Sequence, residues 1–107
     1  MESLQQNTSL AAQCQELAQK LDRATHLPPR ELEGEVDQIQ RDLVRLRDTF
    51  IRELRCAQVS SVADQLRLGL EDVNVALTLV VGAEYPVTAI KRSALEQARN
   101  TLNKNTA

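Results

Sequence analysis

Val36-Asp37-Gln38-Ile39-Gln40-Arg41-Asp42-Leu43-Val44-Arg45-Leu46-Arg47-Asp48-Thr49-Phe50 decides the fold of this chain. Val36, Ile39, Leu43, Leu46 and Phe50 recur at steps of three and four, and charged or amide side chains fill most of the positions between them. That spacing draws one apolar seam along a helix and has no counterpart in the two-residue alternation of a strand. Outward from the seam, no breaker intervenes from Pro29 to Gln58. Gly34 lies in the first turns, where its cost against alanine is about 1 kcal/mol. Pro28 and Pro29 end whatever helix precedes them, because neither can donate a backbone hydrogen bond, and Pro29 suits the first position of the next helix. Glu31, Glu33 and Glu35 then lie near the positive end of its macrodipole. A helix is expected over residues 29–58.

Three further segments carry similar stripes. Leu10, Cys14, Leu17, Leu21 and Ala24 predict a helix over about 8–25, with Asn7, Thr8 and Ser9 available as N-caps. Leu66, Leu70, Val73 and Leu77 predict a third over 62–81, closed by Gly82. Ile90, Ala94, Leu95, Ala98 and Leu102 predict a weaker fourth over 87–103, after Pro86. Between the second and third, the register slips at Val59-Ser60-Ser61-Val62-Ala63-Asp64. Ser61 with Asp64 imitates a capping box with a shorter acid, and a break or one bent rod both fit. The expectation is a single all-α domain over 1–107, a bundle of three to four helices with coiled-coil-like heptad packing. Its first two helices form an antiparallel hairpin turning at Leu27-Pro28-Pro29.

With one Phe, one Tyr and no Trp, the core must be built from aliphatic side chains. A formal charge of −2 gives no general attraction to phosphate backbones, so nucleic acid is not expected as a partner. The opening residues MESLQQNTSL are polar, and the longest apolar run, Val73 to Ala83, is interrupted by Asn74 and Thr78. A soluble protein of the cytoplasm or nucleus, not secreted, is expected, and a membrane is an unfavoured partner. In the hairpin, Cys14 and Cys56 fall about 20 Å apart, so both are expected as free thiols. Cys14, on the first stripe, reads as a small apolar core residue.

No catalytic, cofactor-binding or metal-ligating pattern emerges, and a non-enzymatic function without cofactors is expected. His26 lies in the proline turn with neither a second histidine nor a cysteine nearby, and reads as a helix-end residue. Tyr85 follows Gly82 and reads either as a loop anchor or as a recognition aromatic. The third segment carries apolar residues off its main stripe. Leu68, Val75, Leu79 and Val80 are the expected partner interface of an adaptor, scaffold or complex subunit, with another protein or a second copy as occupant. Arg41, Arg45, Arg52 and Arg55 fall on the side of the second helix away from its seam. They read as a charged docking strip, or as a solvated face in which Asp37 meets Arg41, Asp42 meets Arg45 and Asp48 meets Arg52. Lys91, Arg92, Arg99 and Lys104 against Glu96 give residues 86–107 a charge of +3, leaving −5 on the rest. That asymmetry holds the last helix onto the acidic body. Alternatively, in a helical signalling domain, it presents a basic edge to an anionic membrane or partner surface.

Leu32-Glu33-Gly34-Glu35-Val36-Asp37-Gln38-Ile39, with Leu43 and Leu46, resembles the opening helix of the helical chorismate mutases. That family carries an arginine immediately after the first leucine to bind the substrate carboxylate, and Glu33 stands there in this chain. An anion in place of that cation removes the mechanism. Over roughly the first 50 residues, Leu10-Ala11-Ala12-Gln13-Cys14-Gln15-Glu16-Leu17-Ala18 followed by a proline-started amphipathic helix is similar to helical N-terminal domains of fungal NOD-like signalling proteins. The apolar leading segment of that family is missing.

Overall fold

The computed structural model describes the backbone of residues 2–82 and 88–104, with the side chains of 10–82 and 91–104. Four helices make up the described chain: α1 (Glu2–Ala24), α2 (Pro29–Cys56), α3 (Ser60–Gly82) and α4 (Thr88–Asn103). Each packs mainly on two others, α1 on α2, α2 on α3, α3 on α4 and α4 back on α1, which closes a four-helix bundle of 44 × 22 × 21 Å.

The ends of the helices follow from local chemistry. At the end of α1, the amides of His26 and Leu27 reach back to the carbonyls of Arg23 and Ala24, both at 3.1 Å, a tightening that leads into Pro28. Pro28 is extended (φ −61°, ψ 154°), as a residue before proline must be, and its carbonyl accepts from the amides of Glu31 and Leu32. Pro29 opens α2 as expected. α1 begins at Glu2, six residues before the expected start, so Asn7, Thr8 and Ser9 lie within the helix and not at its N-cap.

The two readings of the second junction resolve into a break. Ala57 turns extended (φ −70°, ψ 126°) after α2, and the Ala63 amide bonds the Val59 carbonyl at 3.0 Å to start α3. Asp64 does not complete a capping box with Ser61; its carboxylate points forward to Arg67 at 2.9 Å.

Every residue of the α1 stripe (Leu10, Cys14, Leu17, Leu21, Ala24) and of the α2 stripe (Val36, Ile39, Leu43, Leu46, Phe50) is buried, joined by Ala18 and Leu32. Leu95, Ala98 and Leu102 complete the core from α4. In α3 the buried line differs from the expected one. Leu66, Gly69, Val73, Ala76 and Val80 are buried, whereas Leu70 and Leu77 flank the core half-exposed. The spacing is still three and four, but the seam passes through the small residues, where a neighbouring helix can approach most closely.

Candidate interaction surface

The buried seam of α3 explains why the four expected interface residues separate. Val80 continues the series 66, 69, 73, 76 by four, so it is fully buried in the core of the chain. Leu79, one position back, is half-buried and packs against the core edge. Leu68 and Val75 are seven residues apart, two helical turns, and point outward at 63% and 50% exposure. Fully burying a leucine is worth about 1.5–3 kcal/mol, so most of that gain is unrealised at Leu68 in the isolated chain. Val59, Val62 and Val81 are also exposed, away from the Leu68–Val75 line.

Beside Leu68 a cleft of about 620 Å³ opens where α1, α3, the far end of α2 and Lys104, the residue that follows α4, come together. Leu10, Cys14, Phe50 and Leu66 line it with apolar surface, Val62 and Leu68 border it, and Gln65, Asp72 and Lys104 are its polar groups. Burial pushes the Cys14 thiol up to about 11, and the Asp72 carboxylate adds to the rise. Asp72 is half-buried and has no hydrogen bond or ion pair among the described residues. Glu71, exposed on the other side of Leu68 and Val75, is likewise unpaired among them. This cleft is not legible in the sequence, because its walls come from positions 10–14, 50, 62–72 and 104, which only the closed bundle brings together. The one trace is the acidic pair Glu71-Asp72 set between Leu70 and Val73.

Arg41, Arg45, Arg52 and Arg55 of α2 are all solvent-exposed. Of the three expected pairs only Asp42 with Arg45 is present, at 3.8 Å. Asp48 turns instead to Arg47 at 3.4 Å, and Asp42 makes its short bond to Lys20 of α1 at 2.9 Å. Arg52 touches only the Thr49 hydroxyl, at 3.5 Å, and Arg41 and Arg55 have no ion pair among the described residues.

In α4 the cations turn inward. Arg99 donates to the Asp22 carboxylate at 2.6 Å, Arg92 donates to the Leu27 carbonyl at 3.0 Å, and the buried Lys91 ammonium lies 3.6 Å from Glu33. Three of the four basic residues of the last segment thus hold α4 onto the acidic remainder of the chain, and Lys104 stays exposed at the cleft. Glu33, where the chorismate mutases carry their arginine, engages Lys91 from an exposed position. His26 is exposed in the turn, and Tyr85 lies outside the described residues. Cys14 and Cys56 are both free, the first buried and the second exposed. Among the described residues no three His, Cys, Asp or Glu side chains gather as a metal site, and no helix is long and apolar enough to cross a membrane.

No protein-family model, curated protein or solved structure matches this chain. The two local likenesses therefore stand on the residues quoted for them alone.

Proposed function

We propose that the chain is a non-enzymatic protein–protein association module, an adaptor, scaffold or complex subunit, that works through the outward face of α3. The observation that carries this reading is the pair Leu68 and Val75, two large aliphatic side chains left in water two turns apart on one face of α3. Leu79 extends the face, and Val80 no longer belongs to it. In the same reading the helices alternate in direction, the first two form an antiparallel hairpin, and the seams pack as heptads. The supports are the three-and-four spacing of the buried residues and the 44 Å length of the molecule. That length cannot hold two successive helices of 23 and 28 residues end to end at 1.5 Å per residue. We place the module in the cytoplasm or nucleus. The rival reading, a signalling domain whose basic last helix meets an anionic surface, has less support, because three of its cations are engaged inside the molecule.

A photo-activated cross-linking residue at Val75, compared with one at the exposed Gln97 of α4, tests the reading in cells. Adducts at Val75 that disappear when Leu68 is replaced by Glu are expected. Equal labelling at the two positions, or none at Val75, overturns it.

A further inference from the structure

Resting on the association reading, the charges around the α3 face single out one kind of occupant. On a helical wheel at 3.6 residues per turn, Leu68, Val75 and Leu79 fall within one narrow arc. Asp64 and Glu71 border that arc on one side and Asp72 on the other. Asp64 is committed to Arg67 at 2.9 Å. Glu71 and Asp72 have no partner among the described residues, and Asp72 stands half-buried in the wall of the apolar cleft beside Leu68. A half-buried carboxylate facing apolar surface gains most from a cation delivered to it, because its lost hydration is then replaced by a charge-assisted hydrogen bond.

A second copy docked by a two-fold contact of α3 on α3 would instead bring the Glu71-Asp72 pairs of both chains together around the axis, at a repulsive cost. An anionic lipid surface would meet the same carboxylates. We infer that the α3 face and its cleft take a basic amphipathic helix of a different protein. Its apolar residues, seven apart, lie on Leu68 and Val75, and a lysine or arginine reaches Asp72 at the mouth of the cleft. Lys104 is the one cation among the residues that line the cleft.

The probe is a pair of synthetic helical peptides of three heptads with identical leucine seams, one flanked by lysines and one by glutamates. Their binding to the full chain is followed by fluorescence anisotropy and by amide chemical-shift mapping. The lysine peptide is expected to bind about fivefold or more tighter than the glutamate peptide. Its shifts should centre on residues 65–79, Asp72→Asn should erase most of the difference, and Leu68→Glu should abolish binding of both. Circular dichroism confirms that the variants remain folded. Equal affinity for the two peptides, or shifts centred elsewhere, overturns the inference.

Two parallel measurements separate this failure from failure of the association reading. One is the solution mass of the free chain, and the other is flotation with vesicles containing phosphatidylserine. A dimer of about 24 kDa, twice the chain's 12.0 kDa, or vesicle binding, either abolished by Leu68→Glu, overturns the basic-helix occupant and keeps the α3 face as a contact surface. No binding of either peptide, a mass of 12.0 kDa and no flotation overturn the inference, and in that case absence of Val75 adducts in cells overturns the association reading as well.

Discussion

Cys14 and Cys56 show how much the place of one side chain in the bundle decides. Cys14 has no exposed surface, and its thiol is raised from 9.0 to about 11, first by burial and then by the nearby Asp72 carboxylate. Cys56 ends α2 in open solvent. At pH 8, Cys56 should therefore react with a thiol reagent such as DTNB in the native protein, and Cys14 only after denaturation; a native count of two fast thiols contradicts the packing. The same shift links stability to pH. Folding favours the protonated thiol, so its contribution is fully present below pH 9 and is lost as pH rises to about 11. The loss is on the order of 2–3 kcal/mol. The measurement is the difference in chemical denaturation between the wild type and Cys14→Ala, followed from pH 8 to pH 11. A constant difference would mean that the thiol is not held in an apolar place.

Among the elements, α1 and α2 were legible in the sequence and α3 was only half so, for a physical reason. In α1 and α2 most of the large apolar residues stand on the seam, with Val44 and Ile51 the exceptions in α2, so periodicity and size select nearly the same positions. In α3, aliphatic residues occur on several faces, and the buried line runs through Gly69 and Ala76. Choosing the larger candidates selects Leu70 and Leu77 and leaves Val80 outside, where it does not belong. Cross-helix polar contacts, such as Lys20 with Asp42 or Arg99 with Asp22, depend on how the helices are rotated against each other, which single-helix periodicity does not encode. Neighbouring substitutions test the observed seam. Ala76→Leu adds volume at a fully buried position and should destabilise by about 1–3 kcal/mol. Val75→Leu, one residue earlier and half-exposed, should change stability by less than about 0.5 kcal/mol. Urea denaturation of both variants distinguishes this seam from one shifted by a residue, which reverses the order.

At the level of the whole molecule, the bundle is a ring whose four sides differ in one respect. α1 with α2, α2 with α3 and α3 with α4 join helices adjacent in the chain, whereas the seam between α1 and α4 joins residues far apart. Asp22 and Arg99 are 77 positions apart, and Leu27 and Arg92 are 65 apart. The polar contacts across that seam draw the +3 of the last segment onto the −5 of the rest. The arrangement also sets an order in time. The three local sides can form early at little loop-closure cost, and the fourth can form only when the others hold its two helices within reach. Leu95→Ala empties a fully buried position on α4 and should cost about 2–5 kcal/mol. In stopped-flow denaturation that loss should show mainly as faster unfolding, whereas the same truncation at Leu43 in α2 should slow folding as well. The closing seam is then a clasp fastened last and released first. How long the native ring stays shut is governed by α4, even though α2 carries its most regular seam.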